Sequence, residues 1–74
     1  MNDNERTYSK AFYTKDTLLK AINAYSNISK IELFEEDSEH YRCRFSESSV
    51  DCHIVMNEFD NYLIEIMNSK IIGR

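Results

Sequence analysis

His40, Cys43, Cys52 and His53 are the residues of this sequence whose types could assemble a reactive or metal-binding centre. Two imidazoles and two thiolates make a ligand set that zinc accepts tetrahedrally. Their spacing, His-x2-Cys-x8-Cys-His, departs from the common zinc-knuckle pattern. In an alternating strand His40 and Cys43 fall on opposite faces, and Cys52 and His53 are consecutive on a helix, about 100° apart. The expectation is therefore no metal and no cofactor, with Cys43 a small core residue. Nucleophilic catalysis by either cysteine needs an oriented base and an oxyanion site, and no pattern here supplies them. Exposed carboxylates at ordinary pKa values are poor general acids. The residues point away from an enzyme.

Charge narrows the partners. Thirteen acidic and nine basic residues leave a net charge of −4, with ten of the acidic groups in residues 31–74. Such a chain repels phosphate backbones, which disfavours nucleic acid. Residues 32–39 hold five carboxylates and no base, a run suited either to a solvated loop or to a decoy for a basic groove. No proline is present and Gly73 is the only glycine, so a Gly-rich phosphate cradle is excluded. The first residues, Met-Asn-Asp-Asn-Glu-Arg, lack the apolar stretch of a signal peptide. No run approaches the ~18 apolar residues of a membrane span. A cytoplasmic protein with reduced thiols is expected.

Leu, Ile, Val and Phe make up 18 of the 74 residues, enough for a folded core in one small domain spanning residues 7–72. Residues 1–6 are expected to form a disordered tail. Residues 7–13 alternate as a strand. Thr14 then suits a helix N-cap, with Asp16 in the first turn. Leu18, Leu19, Ile22 and Tyr25 recur at helical spacing through about residue 27. Residues 28–35 and 40–46 read as strands, with Ile31, Leu33, Tyr41, Cys43 and Phe45 on one face. A three-residue loop, Glu36-Asp37-Ser38, keeps those faces aligned by pairing Leu33 with Tyr41, Ile31 with Cys43 and Glu32 with Arg42. A five-residue loop remains open. Residues 50–56 fit either strand or helix. The longer stripe of Val55, Phe59, Tyr62 and Ile66 favours a helix from about residue 51 to 68, capped near Ser49 or Asp51.

The order strand–helix–strand–strand–helix implies a two-layer α+β fold, with three strands and both helices on one face of the sheet. The third strand lies between the first and second, as in a ferredoxin-like sheet lacking one strand. The first strand's outer edge then invites an extended peptide or a second copy of the chain. Lys10 and Phe12 beside that edge, with Phe34, His40, Arg42 and Arg44 on the uncovered face, are the expected partner-binding residues.

Residues 12–25 (FYTKDTLLKAINAY) and 58–65 (EFDNYLIE) resemble the HxsD-like small proteins of His-Xaa-Ser peptide systems. Those proteins are encoded beside radical SAM enzymes that modify a ribosomal peptide. The resemblance implies an accessory role, binding the enzyme or its precursor peptide without catalysis. It supports Tyr13 as the strand-to-helix residue, Ala21 and Tyr25 on the first helix, and Phe59, Asn61 and Leu63 on the second. Asn61, polar among these, joins the expected contact residues. The cysteines and the ending Asn68-Ser-Lys-Ile-Ile-Gly-Arg74 depart from the family's more Arg-rich tail. The alternative is a small acidic phage or mobile-element inhibitor that occupies a basic groove of a nucleic-acid-handling target.

Overall fold

The computed structural model describes residues 4–72, with side chains through residue 69. The elements run β1 (Glu5–Ser9), α1 (Lys15–Ala24), β2 (Lys30–Glu35), β3 (His40–Ser46) and α2 (Cys52–Ile72). The sheet order is β1-β3-β2, with β3 antiparallel to both neighbours. Both helices pack on one face, giving the expected two-layer α+β arrangement. No helix of the described residues is long and apolar enough to cross a membrane.

The first strand sits earlier than its alternation suggests. Asn4 and Phe45 exchange bonds, Phe45 N donating to Asn4 O and Asn4 Nδ2 to Phe45 O, each 2.8 Å. Glu5 and Arg6 are therefore strand residues, not tail; residues 1–3 lie outside the described residues. At the other end Ser9 turns the chain. Its hydroxyl accepts from Ala11 N (3.1 Å) and its carbonyl from Phe12 N and Tyr13 N (3.1 and 2.9 Å). Such local side-chain bonds compete with a ladder. Phe12 thus lies in a turn, 72% exposed, and not on a strand edge.

Thr14 caps α1 as its sequence suggests, its hydroxyl accepting from Thr17 N at 3.1 Å with Asp16 in the first turn. The helix stops at Ala24, earlier than residue 27. Ser26 Oγ donates to Asn23 O (2.9 Å), and the carbonyl of Tyr25 takes the amides of Ile28 and Ser29. Ser29, buried, donates from its hydroxyl to Ser46 O at 3.0 Å and ties this bend to the end of β3.

The β2–β3 hairpin keeps the expected faces and takes the register of the five-residue loop, two residues away from that of the three-residue loop. Leu33 pairs with Cys43, Ile31 with Phe45, Glu32 with Arg44 and Phe34 with Arg42. The turn centres on Ser38 because Asp37 Oδ1 accepts from Glu39 N (2.8 Å) while Glu36 N donates to His40 O (3.0 Å). An aspartate that bonds two residues onward builds a turn without glycine.

Residues 50–56 resolve as loop and helix. Asp51 caps α2, its carboxylate accepting from His53 N (2.9 Å) and its carbonyl from Val55 N (3.2 Å). A strand there would bury Val50 and Ile54, which are 49% and 55% exposed. The helix instead buries Val55, Met56, Phe59 and Leu63 against Leu18 and Ala21 of α1 and against Tyr8, Tyr41, Cys43 and Phe45 of the sheet. Phe59 meets the Phe45 ring edge-on, centroids 5.1 Å apart.

Candidate functional site

The four residues with metal-binding chemistry do not converge. Cys43 is wholly buried on the helix side of β3, whereas His40 alternates to the opposite face and holds Asp37, with Nδ1 3.1 Å from Oδ1. Cys43 and Cys52 are both free thiols. Cys52 and His53 do come together, with Asp51 and not with the other pair: one ligand atom from each lies within 4.8 Å of the others. That carboxylate already caps α2, and the head of a helix carries partial positive charge that opposes a cation.

Phe34, Arg42 and Arg44 are gathered as expected on the sheet face that no helix covers. Arg42 bonds Glu5 (3.0 Å) on one side and Glu36 (3.1 Å) on the other. Arg44 bonds Glu32 through two nitrogens, at 2.6 and 3.0 Å. The Phe34 ring lies beneath both guanidiniums, 4.5 Å from Arg42 and 5.3 Å from Arg44. The Arg44 bonds hold Glu32 below the usual carboxylate range. The bond from Glu39 N does the same for Asp37, with His40 adding to it. These cations are thus already matched to carboxylates of the neighbouring strands and of the β2–β3 turn, and an acidic ligand has to displace them. Lys10 does not reach the outer edge. Its Nζ stands over the Tyr41 ring (4.9 Å), 3.8 Å from Glu35. Asn61 is exposed on α2, in the other layer.

The edge itself is defined by hydrogen-bond alternation. Phe45 N to Asn4 O and Lys10 N to Glu39 O fix which β1 residues bond toward β3. Between them Thr7, opposite Arg42, turns its N–H and C=O away. No strand lies beyond β1 among the described residues. On the helix side this edge is held by α2: Tyr8 Oη donates to Asp60 Oδ1 (2.7 Å) and Arg6 pairs with Asp60 Oδ2. Ile64, four residues after Asp60 on α2, is 49% exposed.

Arg6, Tyr8 and Asp60 escaped the sequence reading. The available signal was Tyr8 itself, since a core tyrosine needs a partner for its hydroxyl. Of the residues carried by the family resemblance, Ala21, Phe59 and Leu63 are fully buried, Tyr13 packs on Tyr8, and Tyr25 packs on Phe59 and Tyr62. They carry packing more than contact chemistry. In comparisons with protein-family models, with curated proteins and with solved structures, nothing matches this chain.

Proposed function

We propose that this chain is a non-catalytic, cytoplasmic binding module that docks a radical SAM peptide-modifying enzyme, its ribosomal precursor peptide, or both. The partner pairs as an extended segment along β1. The observation that carries the mode is the β1 edge, where Thr7 turns its backbone groups away from β3 and no further strand pairs among the described residues. A strand added there gains main-chain bonds, and its alternate side chains lie beside Arg6 and Tyr8 on the helix side and beside Glu5, Thr7 and Ser9 on the uncovered face. The partner class is supported by the resemblance of residues 12–25 and 58–65. An acidic inhibitor is less well supported. Of the five carboxylates in residues 32–39, Glu32, Glu35, Glu36 and Asp37 each have a base of this chain within 4 Å.

The selective variant is Thr7→Pro. It removes an N–H that faces away from β3, a position where an edge strand tolerates proline. Wild-type and variant chains are used as baits in native-host lysate, with bound proteins identified by mass spectrometry. Wild type should recover a radical SAM enzyme or a short precursor peptide, and folded Thr7→Pro should recover about tenfold less. Equal recovery overturns edge pairing. Recovery of a nucleic-acid-handling complex, lost steeply with added salt, overturns the partner class in favour of the inhibitor.

A further inference from the structure

The second edge of the sheet has a different character. Glu36 N donates to His40 O, and Glu35 stands opposite Tyr41. The even-numbered residues of β2 therefore bond toward β3, while Ile31, Leu33 and Glu35 turn their backbone groups outward. Lys30, Glu32 and Phe34 lie on the uncovered face. Lys30 is the one base of that face with no carboxylate within 4 Å among the described residues; His40 has Asp37, Arg44 has Glu32, and Arg42 has both Glu5 and Glu36.

We infer that β2 is a homodimer edge, pairing antiparallel with β2 of a second copy about a two-fold axis at Leu33. In this register Leu33 meets its own copy and Ile31 meets Glu35. On the open face Lys30 meets Glu36, whose carboxylate it shares with Arg42 of that copy, and Glu32 meets Phe34. The symmetry repeats the Lys30–Glu36 contact, so the unpaired base of each copy finds a carboxylate on the other. Three outward pairs with two bonds each supply about six main-chain hydrogen bonds.

Neighbouring registers are closed. Shifting by two in one direction sets Glu32 against Glu32, and by two in the other sets Glu32 against Glu36; both repel. A register centred on Ile31 would need the Ser29 amide, which already donates to Tyr25 O at 3.1 Å. The β1 edge offers no such match, since pairing about Thr7 sets Glu5 against Ser9 and Arg6 against Tyr8. The dimer is a continuous six-stranded sheet with a β1 edge at either end. It goes beyond the proposed docking role and leaves that edge available.

Sedimentation equilibrium of the full chain at high micromolar concentration should return twice the 8.8 kDa chain mass. Lys30→Glu should raise the dimer dissociation constant about tenfold, and adding Glu36→Lys should restore it. In a Cys52→Ser background, Leu33→Cys should cross-link under mild oxidation while Thr7→Cys should not. A monomer mass throughout, an unchanged constant in Lys30→Glu, or cross-linking through Thr7→Cys in place of Leu33→Cys would overturn the inference. The charge-swap pair leaves Leu33 intact, so a folding defect in Leu33→Cys does not remove the test.

Discussion

Asp60 receives two residues of β1 at once, and the two bonds differ in kind. The Tyr8 side is buried, with the ring 5% exposed. The Arg6 pair is about one-third exposed, so solvent screens much of its attraction. Removing the carboxylate leaves the buried hydroxyl without its acceptor, the expensive part of the loss. Asp60→Ala should therefore cost about 2 kcal/mol in urea unfolding, while Arg6→Ala should cost under about 1 kcal/mol. Comparable losses for both would overturn that ranking. The cluster was invisible as a cluster in the sequence. Arg6 and Asp60 lie 54 positions apart, and nothing local says that a polar residue beside Phe59 meets the first strand.

At the level of elements, the faces were legible and the ends were not. Alternation placed Tyr41, Cys43 and Phe45 inward, and helical spacing placed Leu18, Phe59 and Leu63 in the core, because burial follows period. Boundaries depend on single side chains that bond their own backbone. Ser9 ends β1, Ser26 and Tyr25 end α1, and Asp37 moves the hairpin by two residues. That shift also changed the site: Arg44, rather than Arg42, took Glu32, and Phe34 came to lie opposite Arg42. Period says nothing about such choices. The loop after β3 hides another. Glu47 adopts φ 50°, a left-handed conformation that costs a non-glycine residue about 1–2 kcal/mol. Glu47→Gly relieves it, less the entropy a glycine loses on folding. The variant should be more stable by about 0.5–1 kcal/mol, a rise in melting temperature of about 2–8 °C. A calorimetric midpoint at or below wild type would show that Glu47 makes up that strain through contacts of its own.

For the molecule as a whole, two buried groups set the alkaline limit. Burial pushes the Cys43 thiol up to about 12, with the Asp60 charge adding to it. Burial and then the bond to Asp60 push the Tyr8 hydroxyl up as well. Both hold their protons in the folded chain at pH values where the unfolded chain has released them. Above the ordinary thiol value of 9.0, the unfolded state binds fewer protons than the native one, so stability falls as pH rises toward about 12. Below 9.0 these groups contribute no slope. Unfolding free energy measured across this range should decline less steeply for Cys43→Ala than for wild type. Parallel declines would remove Cys43 from the account.

The helices occupy one side of the sheet only, so alternate positions of three strands take no part in the packed interior. Exchanges at Thr7, Phe34, Arg42 or Arg44 alter a surface whose individual ion pairs are worth about 1 kcal/mol or less. Exchanges at Tyr8, Cys43 or Phe45 act on the interior itself. Heritable variation can therefore rewrite what this chain touches without eroding what holds it together. Surface chemistry and folding are spelled in two interleaved alphabets along the same strands.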